Sequence, residues 1–224
     1  MKVAEVMSRL ESLGSEKVRK LNCRNGASDN QFGVQLGQIR KIAKEIKTNP
    51  ELAEELWATG NLDARLLAIL ILKPQNLSVE NLEAKVEEAD FTQIADWLNS
   101  YVVHAHPQNE DLRIKWLACS HPAKLRSAWS LTARRVAKNP QGLDIPALLD
   151  RIEKEMGDAP ELVQWTMNFC LAEIGINHAE FRARAIAIGE KLGVYRDYPT
   201  PKGCTSPFAP IWINAIVSKS ATAK

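Results

Sequence analysis

The feature that most constrains this chain is an almost unbroken succession of segments whose apolar residues recur every three to four positions. Such segments fall near 2–13, 15–24, 35–47, 50–58, 62–73, 78–88, 91–105, 109–118, 122–138, 145–156, 160–175, 178–192 and 209–218. Nowhere do Val, Ile or Thr alternate with polar residues for long enough to build a strand. The reading is therefore all-α. Its stops make physical sense. Pro50, Pro146 and Pro160 sit in expected first turns, where a missing N–H is harmless. Ser78, Asp144 and Asn177 are suited to N-caps, and Gly60 and Gly193 to helix breaking.

Helix pairs are expected to start near 50, 78, 109, 145 and 178, a spacing of roughly 30–36 residues that suits stacked helical repeats. A single bundle could hold as many helices, but regular pairing favours a curved α-solenoid, an α-α superhelix occupying 1–224 as one repeat domain. The stretch 194–210 breaks the pattern with Pro199, Pro201, Pro207 and Pro210. It is expected to be an ordered, extended loop, either a strap over the last repeat or a functional segment.

Composition narrows the class. Of 224 residues, 45% are hydrophobic and 25% charged, which excludes a disordered tail, a collagen-like chain and a disulfide scaffold. Cys23, Cys119, Cys170 and Cys204 lie far apart, as reduced thiols do in a cytoplasmic protein. Met1 to Leu13 lacks the apolar centre of a signal peptide, and the longest apolar run, Leu66–Leu72, is too short to span a bilayer. A soluble cytoplasmic protein without membrane partners is expected.

The net charge of +2 hides a polarised distribution. Between 121 and 140 there are five Lys or Arg and no acid; between 78 and 96 there are six acids and one Lys. On 122–138, Leu125, Ala128, Trp129, Thr132, Ala133 and Val136 form an apolar stripe. Lys124, Arg134, Arg135 and Lys138 cluster opposite it, with Arg126 at the edge. That face is suited to phosphates, although an ordinary solvated helix can look the same. On 91–105 the core stripe is Phe91, Ile94, Ala95, Leu98 and Val102, leaving Trp97 and Tyr101 together on another side. On 160–175, Val163, Met167, Cys170 and Ile174 form one stripe and Leu162, Trp165, Phe169 and Ala172 a second, with Glu173 a carboxylate in apolar company.

Other chemistry finds little support. His104, His106, Cys119 and His121 lack the spacing of a known zinc motif. No phosphate-binding glycine loop, dinucleotide fingerprint or GxSxG elbow occurs. Neither a metal nor a nucleotide cofactor is expected.

Several segments, in order, resemble the DNA alkylation repair family of HEAT-like, armadillo-type repeat proteins, relatives of the alkylpurine DNA glycosylases. They are Asn30-Gln31-Phe32-Gly33-Val34, Leu56-Trp57, Asp63-Ala64-Arg65, Asp96-Trp97, the segment from Ser130 to Ala137 with Arg134-Arg135, and Met167–Ile174. The likeness runs from about Asn30 to Trp212. It implies a curved solenoid cupping duplex DNA, alkylated or otherwise damaged, in a concave basic groove. In active members it implies base-excision repair chemistry, in which a carboxylate and aromatic faces stabilise the cationic sugar left as an N3- or N7-alkylated purine departs.

Residue by residue, the resemblance carries over unevenly. Trp97 matches the first aromatic of the family's site, but the catalytic Asp four residues on is replaced here by Tyr101. Arg135 matches the Arg of the basic helix, Phe169 stands where active members have a second Trp, and Ala172 replaces a basic residue. Asp96 and Glu173 are the alternative carboxylates, and Trp165 joins Phe169 and the basic helix as a DNA-contacting candidate. The reading is a DNA-binding protein with slow or undetectable excision. Two alternatives remain: an active glycosylase with a substitute carboxylate, and a protein–protein scaffold.

Overall fold

In a computed structural model, which describes residues 2–222, thirteen α-helices and two short 3₁₀ turns are present among the described residues, and no strand. None of these helices is long and apolar enough to cross a membrane. The chain divides into two compact units, 1–109 and 110–224.

The first unit contains α1 (Val3–Ser12), α2 (Glu16–Arg24), α3 (Leu36–Ile46), α4 (Pro50–Ala58), α5 (Leu62–Ile71), α6 (Val79–Glu87) and α7 (Thr92–Tyr101). Side-chain caps set the starts: Asn49 accepts from the Leu52 N–H, Asn61 from those of Asp63 and Ala64, and Ser78 from that of Asn81. Each such cap stabilises a helix by about 1 kcal/mol. The expected helix 91–105 is shorter; it stops at Tyr101, and a 3₁₀ turn follows over Val103–Ala105.

Helix α5 is wholly apolar from Leu66 to Ile71 and is the unit's core, with Leu66, Leu67, Ala68 and Ile71 buried. It packs against α3, α4 and α7. Next to this core lies an indole held by charges. The Arg65 guanidinium sits 4.9 Å and the Lys85 ammonium 5.0 Å from the Trp57 ring centre, and the indole N–H donates to Glu88 at 2.7 Å.

One carboxylate joins two distant segments. Asp63 is fully buried at the start of α5, and its Oδ2 accepts from the N–H groups of Phe32 (2.7 Å) and Gly33 (3.1 Å) while Oδ1 accepts from Val34 (2.9 Å). Gly33 has φ of 76°, and a Cβ there would lie 2.6 Å from both Ser15 O and Arg19 N. No other residue fits. The Asn30–Val34 and Asp63–Arg65 segments are thus two halves of one lock.

The second unit holds α8 (Asn109–Leu117), α9 (Pro122–Lys138), α10 (Ile145–Glu155), α11 (Glu161–Asn177), α12 (Arg182–Leu192) and α13 (Ala209–Thr222). The two longest helices, α9 and α11, pack along one another around Trp129, Ala133, Met167, Cys170 and Leu171. Gly189 on α12 lets Pro210 come close enough that a Cβ would lie 2.6 Å from the proline ring. Two expected boundaries move. Pro160 caps α11 from outside its first turn, and Asn177 is the last residue of α11, not the cap of α12, which begins at Arg182.

Changing Asp63 to Ala leaves three inward-facing N–H groups without an acceptor, each worth about 1–3 kcal/mol. A loss of about 3–5 kcal/mol is expected, read as a lower urea midpoint at unchanged slope. A loss under about 1 kcal/mol would show that this lock is not what holds the segments together.

Candidate nucleic-acid interface

Trp97, Asp96 and Tyr101 lie on α7 in the first unit; the basic helix, Trp165, Phe169 and Glu173 lie in the second.

On α7 the aromatic pair that lies off the core stripe is only half exposed. Trp97 is buried at 6% exposure, whereas Tyr101 is 43% exposed. The two rings meet edge to face at 5.7 Å, and the Arg40 guanidinium from α3 lies 4.5 Å from the Trp97 ring centre. The indole therefore positions a cation and a phenol and offers little surface of its own to a ligand. Asp96 is half-buried and about 100° around the helix from Trp97. The group that shares the indole edge with solvent is the phenol.

On α9 the amphipathic division holds, with one correction. Ala128, Trp129, Thr132, Ala133 and Val136 are buried, and Leu125 is half-buried. Arg134 and Lys138 are exposed, and Lys124 is half-buried. Arg126, expected at the edge of the basic face, is instead 1% exposed, and its Nη1 donates to the Leu162 carbonyl at 3.2 Å. The approach of α11 covers that side of α9, which the sequence of α9 does not reveal. Arg135 is half-buried and already engaged. Its Nη2 donates to Gln141 O at 2.9 Å and its Nη1 lies 3.5 Å from Glu110. Glu110 also receives a two-pronged bond from Arg113, which holds its carboxyl below the usual range.

Trp165 and Phe169 are half-buried on one side of α11, and the Pro-rich segment and α13 supply their neighbours. Tyr195 meets Trp165 edge-on at 5.3 Å, Tyr198 lies 6.0 Å away, and Trp212 lies 5.5 Å from Phe169. Asn168 fixes the segment by donating to Pro207 O at 2.8 Å. Between strap and helix is a cleft of about 320 Å3 walled by Trp165, Tyr198 and Trp212. The aromatic partners Tyr195, Tyr198 and Trp212 were not singled out from sequence. The signal was present, two rings within the Pro-rich stretch and one just after it, but which helix they meet is a tertiary fact.

Glu173 is half-buried one turn beyond Phe169, with Asn177 Nδ2 donating to its Oε2 at 2.7 Å. Burial pushes its carboxyl above the usual range, while Asn177 and the nearby charge of Lys138 pull it down. As for metals, His106 is occupied: its Nδ1 faces the Gln108 N–H at 3.2 Å and its Nε2 the Leu77 carbonyl at 3.0 Å. Among the described residues no three His, Cys, Asp or Glu side chains gather as metal ligands would.

With this geometry in view, comparison with known proteins decides the family. Residues 6–211 match the DNA alkylation repair enzyme family. The chain belongs to that family. A solved structure described as "a new family of proteins related to the HEAT-like repeat DNA glycosylases with affinity for branched DNA structures" aligns with a TM-score of 0.82 at 27% identity, covering 98% of this chain and 95% of that one. The all-helical chain thus shares the HEAT-like repeat fold. An uncharacterized protein of Listeria innocua is 22% identical over 193 residues, covering 82% of this chain and 83% of its own. One from Listeria monocytogenes is 20% identical over the same length and shares.

The raised Glu173 carboxyl gives a test. Its ionisation is disfavoured in the fold, so stability is highest while it is protonated. That stability is lost as pH rises from the ordinary glutamate value, about 4.3, through the higher folded value. Glu173→Gln is expected to gain on the native protein as pH is raised from about 4 to 7, measured by urea unfolding at each pH. A difference that does not change with pH would contradict this placement of the carboxylate.

Proposed function

We propose that this member of the DNA alkylation repair family binds DNA, duplex segments included, through the basic side of α9, and that it favours branched structures and excises bases slowly or undetectably. The observation that carries the reading is the division of α9. Its apolar stripe is buried under the unit's core while Arg134 and Lys138 face solvent, in a stretch without a single acid. Such a face gives sequence-independent affinity through counterion release. The preference for branches draws support from the HEAT-like structural relative, which is described as having affinity for branched DNA.

The weak chemistry follows from Tyr101. At the position where the resemblance puts a carboxylate stands a neutral phenol, 43% exposed and edge-on to Trp97. Removing one preorganised electrostatic group of this kind costs about 2.7–4 kcal/mol of transition-state stabilisation. Cation–π attraction, about 0.5–2 kcal/mol, does not make it up. A second reading has one observation in its favour: Glu173 is a half-buried carboxylate close to Lys138, one turn from Phe169. In that reading Glu173 would supply the missing charge.

Binding and chemistry separate in one experiment with oligonucleotides carrying 7-methylguanine, in plain duplex and forked form, scored for complex formation and for abasic sites. Salt-sensitive binding with little or no base release is expected. Changing both Arg134 and Arg135 to Glu should weaken binding to all sequences about equally and reduce the log–log salt slope by roughly 0.9 for each phosphate no longer neutralised. Base release abolished by Glu173→Gln would favour the second reading. No DNA binding even at low salt would return the protein to the scaffold alternative.

A further inference from the structure

A cleft of about 370 Å3 opens between the C-terminal half of α3, the turn that follows it, α5 and α7. Three cations line it. Arg40, Lys44 and Lys47 are all exposed, and they share one side of the chain at intervals of four and three residues. Among the described residues none of the three has a carboxylate within ion-pair distance; the neighbouring Glu45 is taken by Arg9. The apolar Ala43 and Leu70 complete the lining, together with Thr48 and Tyr101. Among the described residues no acid lines the cleft.

The negative end of the α3 dipole accounts for cations in its last turn, but not for Arg40 a turn earlier, nor for their convergence on a cavity. Two further features hold the cluster in place. Arg40 lies 4.5 Å from the ring centre of the buried Trp97, which orients the guanidinium. Lys47 is held at φ of 63°, a left-handed conformation that β-carbon residues rarely adopt, by its N–H bond to Ala43 O and the following Asn49 N–H bond to Ile71 O, both 2.8 Å.

We propose that this cleft binds a backbone phosphate of a DNA strand, with the exposed Tyr101 ring as the platform for the adjoining unpaired base. The inference rests on the DNA-binding reading above and extends it to the first unit. Three converging donors of positive charge match the oxygens of a phosphate, and an aromatic ring beside them matches a nucleobase freed from its stack. A duplex, whose bases are already stacked, would use the cations but not the ring. A single-stranded arm would use both.

The test measures affinity of the full chain for a forked oligonucleotide and for a plain duplex across a range of salt, by fluorescence anisotropy. The double variant Lys44→Gln/Lys47→Gln alters only exposed side chains. It is expected to lower the log–log salt slope by up to roughly 0.7–0.9, the one phosphate neutralisation that the cleft supplies. Tyr101→Leu should weaken binding to the fork about 5- to 150-fold while leaving the plain duplex unchanged, and Tyr101→Phe should keep the native affinity for both. A salt slope unchanged in the lysine variant, while the native protein binds DNA normally, overturns the cleft and leaves the α9 reading standing. Equal effects of Tyr101→Leu on fork and duplex overturn the base platform. Failure of the native protein to bind either probe overturns both readings together.

Discussion

Burying a carboxylate costs free energy unless its oxygens are filled, and in the first unit three backbone N–H groups fill those of Asp63. The donors come from the bend at 32–34, and the carboxylate from the first turn of α5, the helix on which α3, α4 and α7 pack. Around the lock, Leu62 N donates to Asn30 O at 2.9 Å and Asn30 Nδ2 to Thr59 O at 3.2 Å. The path of the chain into α3 is fixed in this way. With it are fixed the positions of Arg40, Lys44 and Lys47 around the cleft they share with Leu70 and Tyr101. A polar contact inside the core thus sets the geometry of a charged surface several turns away.

In the second unit the corresponding constraint is the α9–α11 pairing. Side chains of both helices fill a common core, and whatever faces that seam is lost to solvent regardless of its polarity. Arg126 shows the rule at its sharpest: a guanidinium inside the seam, given a backbone carbonyl by the start of α11. The remaining cations of α9 divide by exposure. Arg135 is drawn toward Glu110 and Gln141, whereas Arg134 and Lys138 stay exposed. The basic face is consequently narrower than five cations in twenty positions suggest, and it is centred on the helix's last two turns.

Charge placement also separates affinity from chemistry. Phosphate binding needs cations in solvent, which both units supply. Cleaving a glycosidic bond needs an anion held close to the developing sugar cation in a site that excludes water. On α7 the exposed group beside Trp97 is a phenol, which can stack but carries no charge. The aromatic strap over α11 adds further stacking surface, again without an acid among the cleft walls. Both arrangements offer aromatic surface.

Much of this was legible in the residues alone. Helical periodicity, proline and glycine stops and capping side chains act over a few neighbouring residues, so the thirteen helices could be placed from local signals, and the order of short motifs pointed to the family. The basic stripe of α9 was legible for the same reason. Only the tertiary structure decided which residues of a given helix remain accessible. Trp97 lay off the core stripe of its helix and Arg126 at the edge of a basic face, and helices from elsewhere in the chain buried both. Asp63 found its donors some thirty residues back, Trp165 its aromatic neighbours some thirty residues ahead, and Arg40 its indole on α7. Periodicity reports the exposure a helix has by itself, whereas burial and convergence belong to the packing of several helices, which no local pattern encodes.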